Sequence, residues 1–191
     1  MRLLTLHVRG RRGGPIAGAL LGVASAGWVI AAYVPDAGML VAVLAPLAAV
    51  SVIGFALGGD DPTLEGTTPQ WWERWRAIEL AVCAGFAVAA VAPTLLEADQ
   101  HAPAILRNLA GFGGLTALGA TVLGARLAWV APAASALLGG AVGPRGEHWL
   151  APLTWPGLAG DSDSALTLAA ALAVAGAGLY TWCGRLALSE S

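Results

Sequence analysis

The run DDPTLEGTTPQWWERWRAIE, Asp60 to Glu79, decides how the chain is read, because it is the longest polar stretch between apolar segments. It carries three of the eight tryptophans, Trp71, Trp72 and Trp75, within five residues. Trp71 and Trp75 share a helix face. Glu73 and Arg76 sit three apart on another, a spacing that allows a weak ion pair. Pro69 suits a first helical turn, and Thr67 or Thr68 can cap it. The expectation is a loop followed by an amphipathic helix lying on a membrane surface, with Glu73, Arg74 and Arg76 open to a soluble partner.

That reading depends on what flanks the run. Of 191 residues, 57% are hydrophobic and 12% charged, against about 25% charged in a typical soluble domain. The mean hydropathy is +0.71. Net charge is −2, which excludes an electrostatic case for nucleic acid. All ten basic residues are arginine, and with so much Gly and Ala this suggests high-GC coding. Cys83 and Cys183 lie inside apolar segments and are expected to be buried small residues. The small-x-small triplet at Ala24–Ala26 has the form of a signal-peptidase site, but the apolar run continues to Val34, so an uncleaved first span is expected.

A span needs about 20 apolar residues. Outward from the polar run, this places spans at residues 38–57 and 77–96, then 15–34 before them and 164–184 at the end. Between Ala104 and Val142 the only charges are Arg107 and Arg126. That stretch is too long for one crossing, and Arg126, Trp129 and Pro132 mark a hairpin between spans at 104–125 and 127–142. Gly143 to Asp163 is broken by Pro144, Pro152 and Pro156 and is expected to dip into the interface without crossing. The fold class is therefore all-α and polytopic: one domain over 1–191, six membrane helices and one interfacial amphipathic helix. Eight of the ten arginines fall on one side if both termini are cytoplasmic. Gly18 with Gly22, Ala120 with Gly124, and Ala169, Ala173 and Ala177 are small-residue patterns for close helix packing.

Polar residues within spans are the candidates for function. Glu79 lies one turn into the third span with Arg76 as a ready partner. Arg107 and Asn108 open the fourth span at its outer end, where Arg107 can pair with Glu97 or Asp99. Glu97, Asp99 and His101 alternate in one outer loop, and with Glu147 and His148 they would form the kind of carboxylate and histidine cluster that a divalent metal needs. E-x-D-x-H lacks helical ligand spacing, so solvated loop charges are the reading preferred here. GxxxxGK[ST], HExxH, GxSxG and CxxC are all absent. No catalytic residue or cofactor is assigned to this chain, and ATP would have to be bound by a partner subunit.

With these features in place, the layout resembles the ABC-2 type of exporter permease. The shared features are a basic N-terminal segment, six spans, a cytoplasmic loop between spans two and three, and a broken outer segment before the last span. The run RNLAGFGGLTALGATVLGARLAWVAP, Arg107 to Pro132, also looks like small permease-like proteins encoded beside ABC ATPases in high-GC bacteria. The resemblance implies a multi-pass subunit in a bacterial cytoplasmic membrane, homo- or hetero-oligomeric, with an ATPase docked at Asp60–Arg76 and a hydrophobic or amphipathic cargo such as a peptide or metabolite. Two other classes stand beside it: a non-transport scaffold or immunity protein, and a membrane-embedded enzyme using the outer Glu, Asp and His residues.

Overall fold

The computed structural model describes residues 13–57, 72–142 and 154–183. Among them the regular structure is entirely helical. The six α-helices are α1 (Gly13–Tyr33), α2 (Gly38–Gly54), α3 (Trp72–Glu97), α4 (Ala102–Val122), α5 (Val130–Val142) and α6 (Asp163–Cys183). Single 3-10 turns at Asp99–His101 and Trp155–Gly157 precede α4 and α6. Pro35 and Asp36 turn the chain between α1 and α2, Asp36 taking a left-handed φ of 60°. Gly124, φ 82°, does the same at the α4–α5 hairpin. Aspartate and glycine are among the residues that tolerate this region best.

Three helices are long and apolar enough to cross a membrane: Pro15–Tyr33, Glu73–Glu97 and Asp163–Cys183. The apolar helices Gly38–Gly54 and Val130–Gly140 are shorter. α4, 21 residues long, carries Arg107, Asn108 and two threonines and is not among the three. Six crossings were expected, and length with composition supports three of them directly.

The expected interfacial helix takes a different form. α3 runs unbroken for 26 residues, about 39 Å at ~1.5 Å per residue. Nothing between Glu73 and Glu79 breaks a helix, so Glu73, Arg74 and Arg76 extend the axis of the long helix rather than start a separate one. Asp60 to Trp71, with Thr67, Thr68 and Pro69, lies outside the described residues.

α4 is the core of the bundle. It packs most extensively against α6 and next against α2, and it also contacts α5 and α3. Its buried residues fall on several sides: Ile105, Asn108, Phe112, Thr116 and Ala120 among them. Glycine makes the α4–α6 contact possible. A Cβ on Gly114 would strike the backbone of Leu172 and Ala173, and one on Gly176 would strike Gly114. These two backbones touch directly. Gly111 leaves room for the Trp155 ring, and Gly119 for the backbone of Ala128. The GxxxG pair in α1 plays no such part, since nothing lies within 4 Å of a Cβ built on Gly18 or Gly22. Ala169 is buried against the core, as the small-residue pattern of the last span suggested. Cys83 is buried, whereas Cys183, at the end of α6, is exposed.

The outer surface of the bundle stays apolar. Leu21, Tyr33, Leu96, Leu137, Val174 and Trp182 are each more than two-thirds exposed. Exposed apolar area on this scale calls for a non-aqueous neighbour.

Gly114→Ala is expected to destabilise the protein by about 1–3 kcal/mol through overpacking against a backbone that cannot swing aside. Gly113→Ala, where a Cβ meets nothing within 4 Å, serves as the control and should leave the melting temperature in detergent unchanged.

Candidate functional site

The polar centre of the bundle is Arg107–Asn108, near the start of α4. It forms around a defect in α2. Pro46 lies inside that helix and has no N–H, so the carbonyl four residues earlier, on Ala42, has no intrahelical donor. Ala42 is fully buried and cut off from water. The Asn108 amide donates to that carbonyl at 2.9 Å and, with its second hydrogen, to the Pro156 carbonyl at 2.9 Å. Its Oδ1 accepts from Arg107 Nε and Nη2, both at 3.3 Å. Both amide hydrogens and both oxygen lone pairs are thereby used.

Arg107 extends the network to the segment before α6. Nη1 donates to the Ala159 carbonyl at 2.6 Å and Nη2 to the Leu158 carbonyl at 2.9 Å, with a longer contact to Pro156 at 3.5 Å. Arg107 is 3% exposed. Sequence reasoning offered Glu97 or Asp99 as its partner, and the structure gives neither. A proline-interrupted turn presents several carbonyls with no helical donors, and a five-donor fork meets them better than a single carboxylate would. Trp155 anchors the same segment, 1% exposed and packed on Phe112 with ring centroids 5.3 Å apart. From Thr154 onward the segment packs against the bundle; residues 143–153, with His148, lie outside the described residues.

A pocket of about 310 Å³ opens beside this network, lined by Met39, Gln100, His101, Pro103, Ala104, Ala159, Gly160 and Asp161. The His101 ring lies over Gly38, where a Cβ would collide with it. Glu97 faces elsewhere and accepts from Trp28 Nε1 at 3.0 Å. Among the described residues, no three His, Cys, Asp or Glu side chains gather as a metal would need. The alternating Glu97, Asp99 and His101 are thus pulled apart: a helix end, a 3-10 turn and a ring seated on α2.

The opposite end has its own polar contact. The Tyr180 hydroxyl reaches the Leu57 carbonyl at 3.2 Å and Glu79 Oε2 at 3.4 Å, joining α6, the end of α2 and α3. Glu79 therefore keeps polar company inside the bundle, from a tyrosine that sequence reasoning did not single out. Arg126 is exposed at the hairpin between α4 and α5, as its position suggested.

No family model, curated protein or solved structure matches this chain.

Three features of this geometry escaped the sequence reading: the Ala42–Asn108 bond, the carbonyls around Arg107 and the Tyr180 bridge. Signals for the first were present, as a proline within one apolar span and a lone asparagine in another.

The dependence of Asn108 on Pro46 can be read in a double-mutant cycle. Asn108→Leu leaves the buried Ala42 carbonyl without its donor and Pro156 with only the long Arg107 contact, and is expected to cost about 2–5 kcal/mol. In a Pro46→Ala background residue 46 regains its N–H and Ala42 its helical donor. The same Asn108 substitution should then cost about 1–2 kcal/mol less. Chemical denaturation in detergent of all four proteins measures the coupling, and additive effects would show that Asn108 does not serve the proline defect.

Proposed function

We propose that the chain is a multi-pass membrane subunit of an ATP-driven exporter, with the ATPase on another polypeptide. The bilayer placement is supported by the three long apolar helices and by aromatic residues at both ends. Trp75, Trp129 and Trp182 are exposed near the end marked by Glu79 and Tyr180. Trp28 and Tyr33 are exposed near the end marked by Glu97. From Trp75 to Glu97 along α3 is about 33 Å at ~1.5 Å per residue, close to the hydrocarbon thickness of a bilayer, and tryptophan and tyrosine favour its two boundaries. α2, α4 and α5 complete six crossings in this reading. The arginine bias puts both termini and Glu73, Arg74 and Arg76 on the cytoplasmic side of a bacterial membrane.

The observation that carries the transport reading is the segment Thr154–Ser162. It is broken by Pro156, buried at Trp155, held by Arg107 and Asn108, and placed immediately before the last helix. An outer segment folded back into the bundle at this point of the chain is the feature the permease resemblance implies. Within one bundle α4 and α6 touch backbone to backbone and leave no room for cargo between them. The path would therefore run between bundles, along the exposed apolar faces, and this favours a hydrophobic or amphipathic cargo.

Mild-detergent purification from the native host should bring down an ATPase, and its absence would sink the proposal. Replacing Glu73, Arg74 and Arg76 together should lower the recovered ATPase several-fold while membrane insertion, followed by carbonate extraction, stays unchanged. Full recovery with the triple variant would remove the docking role from these residues.

A further inference from the structure

Arg107, the arginine nearest Glu97 in sequence, is turned into the bundle and spent on carbonyls. Glu97 therefore stands at the end of α3 with the Trp28 indole as its partner and no cation beside it among the described residues. Trp28 in turn meets Tyr33: their ring planes stand at 89° with centroids 6.2 Å apart. Tyr33 is 72% exposed and Trp28 39%, so ring surface on both remains open.

Two perpendicular rings make the walls of a corner, and an aromatic face attracts a cation through its quadrupole. The carboxylate lies at the indole edge, where Trp28 Nε1 fixes one of its oxygens at 3.0 Å. Its remaining lone pairs can accept further hydrogen bonds. A quaternary ammonium has no N–H to give them, whereas a primary ammonium has three. We infer that Trp28, Tyr33 and Glu97 form a site for a primary ammonium group, of the kind carried by an ethanolamine phospholipid headgroup. The ammonium rests against the rings and donates to Glu97, closing the charge that the protein's own arginine leaves open. The inference rests on the bilayer placement proposed above, which sets these residues at headgroup depth.

The test uses the full-length protein. Flotation with phosphatidylglycerol vesicles first establishes insertion; a protein that does not insert refutes the placement itself. Native mass spectrometry of the detergent-purified protein then compares retention of phosphatidylethanolamine and phosphatidylglycerol with matched acyl chains. Wild type should retain the ethanolamine lipid roughly fivefold better, the scale of a partly exposed cation–aromatic contact. Glu97→Gln, which keeps an acceptor for Trp28, and Tyr33→Leu should each remove the preference, while Leu96→Ala should not. Soluble ethanolamine is added in a separate arm. If it changes the tryptophan emission of wild type but not of a Trp28→Phe variant while no lipid preference exists, the same ammonium chemistry belongs to a free amine. Insertion with equal retention of both lipids and no response to ethanolamine overturns the inference and leaves the placement standing.

Discussion

A buried carbonyl without a donor is the constraint around which the bundle is arranged. Pro46 leaves the Ala42 oxygen unpaired where no water can reach it, and such a group costs about 1–3 kcal/mol if left alone. The donor comes from Asn108 on α4, which fixes the height and rotation of α4 against α2. The second amide hydrogen fixes the Trp155–Gly157 turn at the same level. Arg107 then ties down Leu158 and Ala159, and the chain enters α6 from a fixed point. One missing N–H thus determines where three other elements meet.

The rest of the packing follows from the small residues that let α4 lie at the centre. Glycine at 111, 114 and 119 admits a tryptophan ring, a helix backbone and a hairpin backbone in turn. Where helices meet in hydrocarbon, apolar attraction between them adds little. Close approach and a few well-placed hydrogen bonds then hold them together. Thr116 and Thr121 fit this economy by bonding back to the Phe112 and Ala117 carbonyls. Thr94, after Pro93 in α3, is the exception: its hydroxyl is buried without a partner, facing Gly27 of α1.

The helices themselves were legible because hydropathy and proline or glycine breaks report directly on where a helix can run. The hairpin at Arg126, found by splitting one long apolar stretch, lies where the turn occurs. Contacts between helices were not legible from the same signals. Arg107 was matched to carboxylates because charge is visible in a sequence, whereas carbonyls freed by a broken backbone are not. The GxxxG motif of α1 drew attention by spacing, yet close backbone packing selects Gly114 and Gly176. Glu73 to Arg76 were assigned to a separate helix because polarity changes at Glu79, but polarity alone does not end a helix.

The position of α4 in chain order bears on biogenesis. α2 is made well before α4, the helix against which it packs most extensively. Until α4 arrives, α2 is a 17-residue helix with a proline inside and an open carbonyl in its middle. By itself it cannot satisfy that carbonyl, and it depends on a donor from a helix made later. Asn108 then does more than complete a network. It ties the early half of the chain to a residue that is made after it.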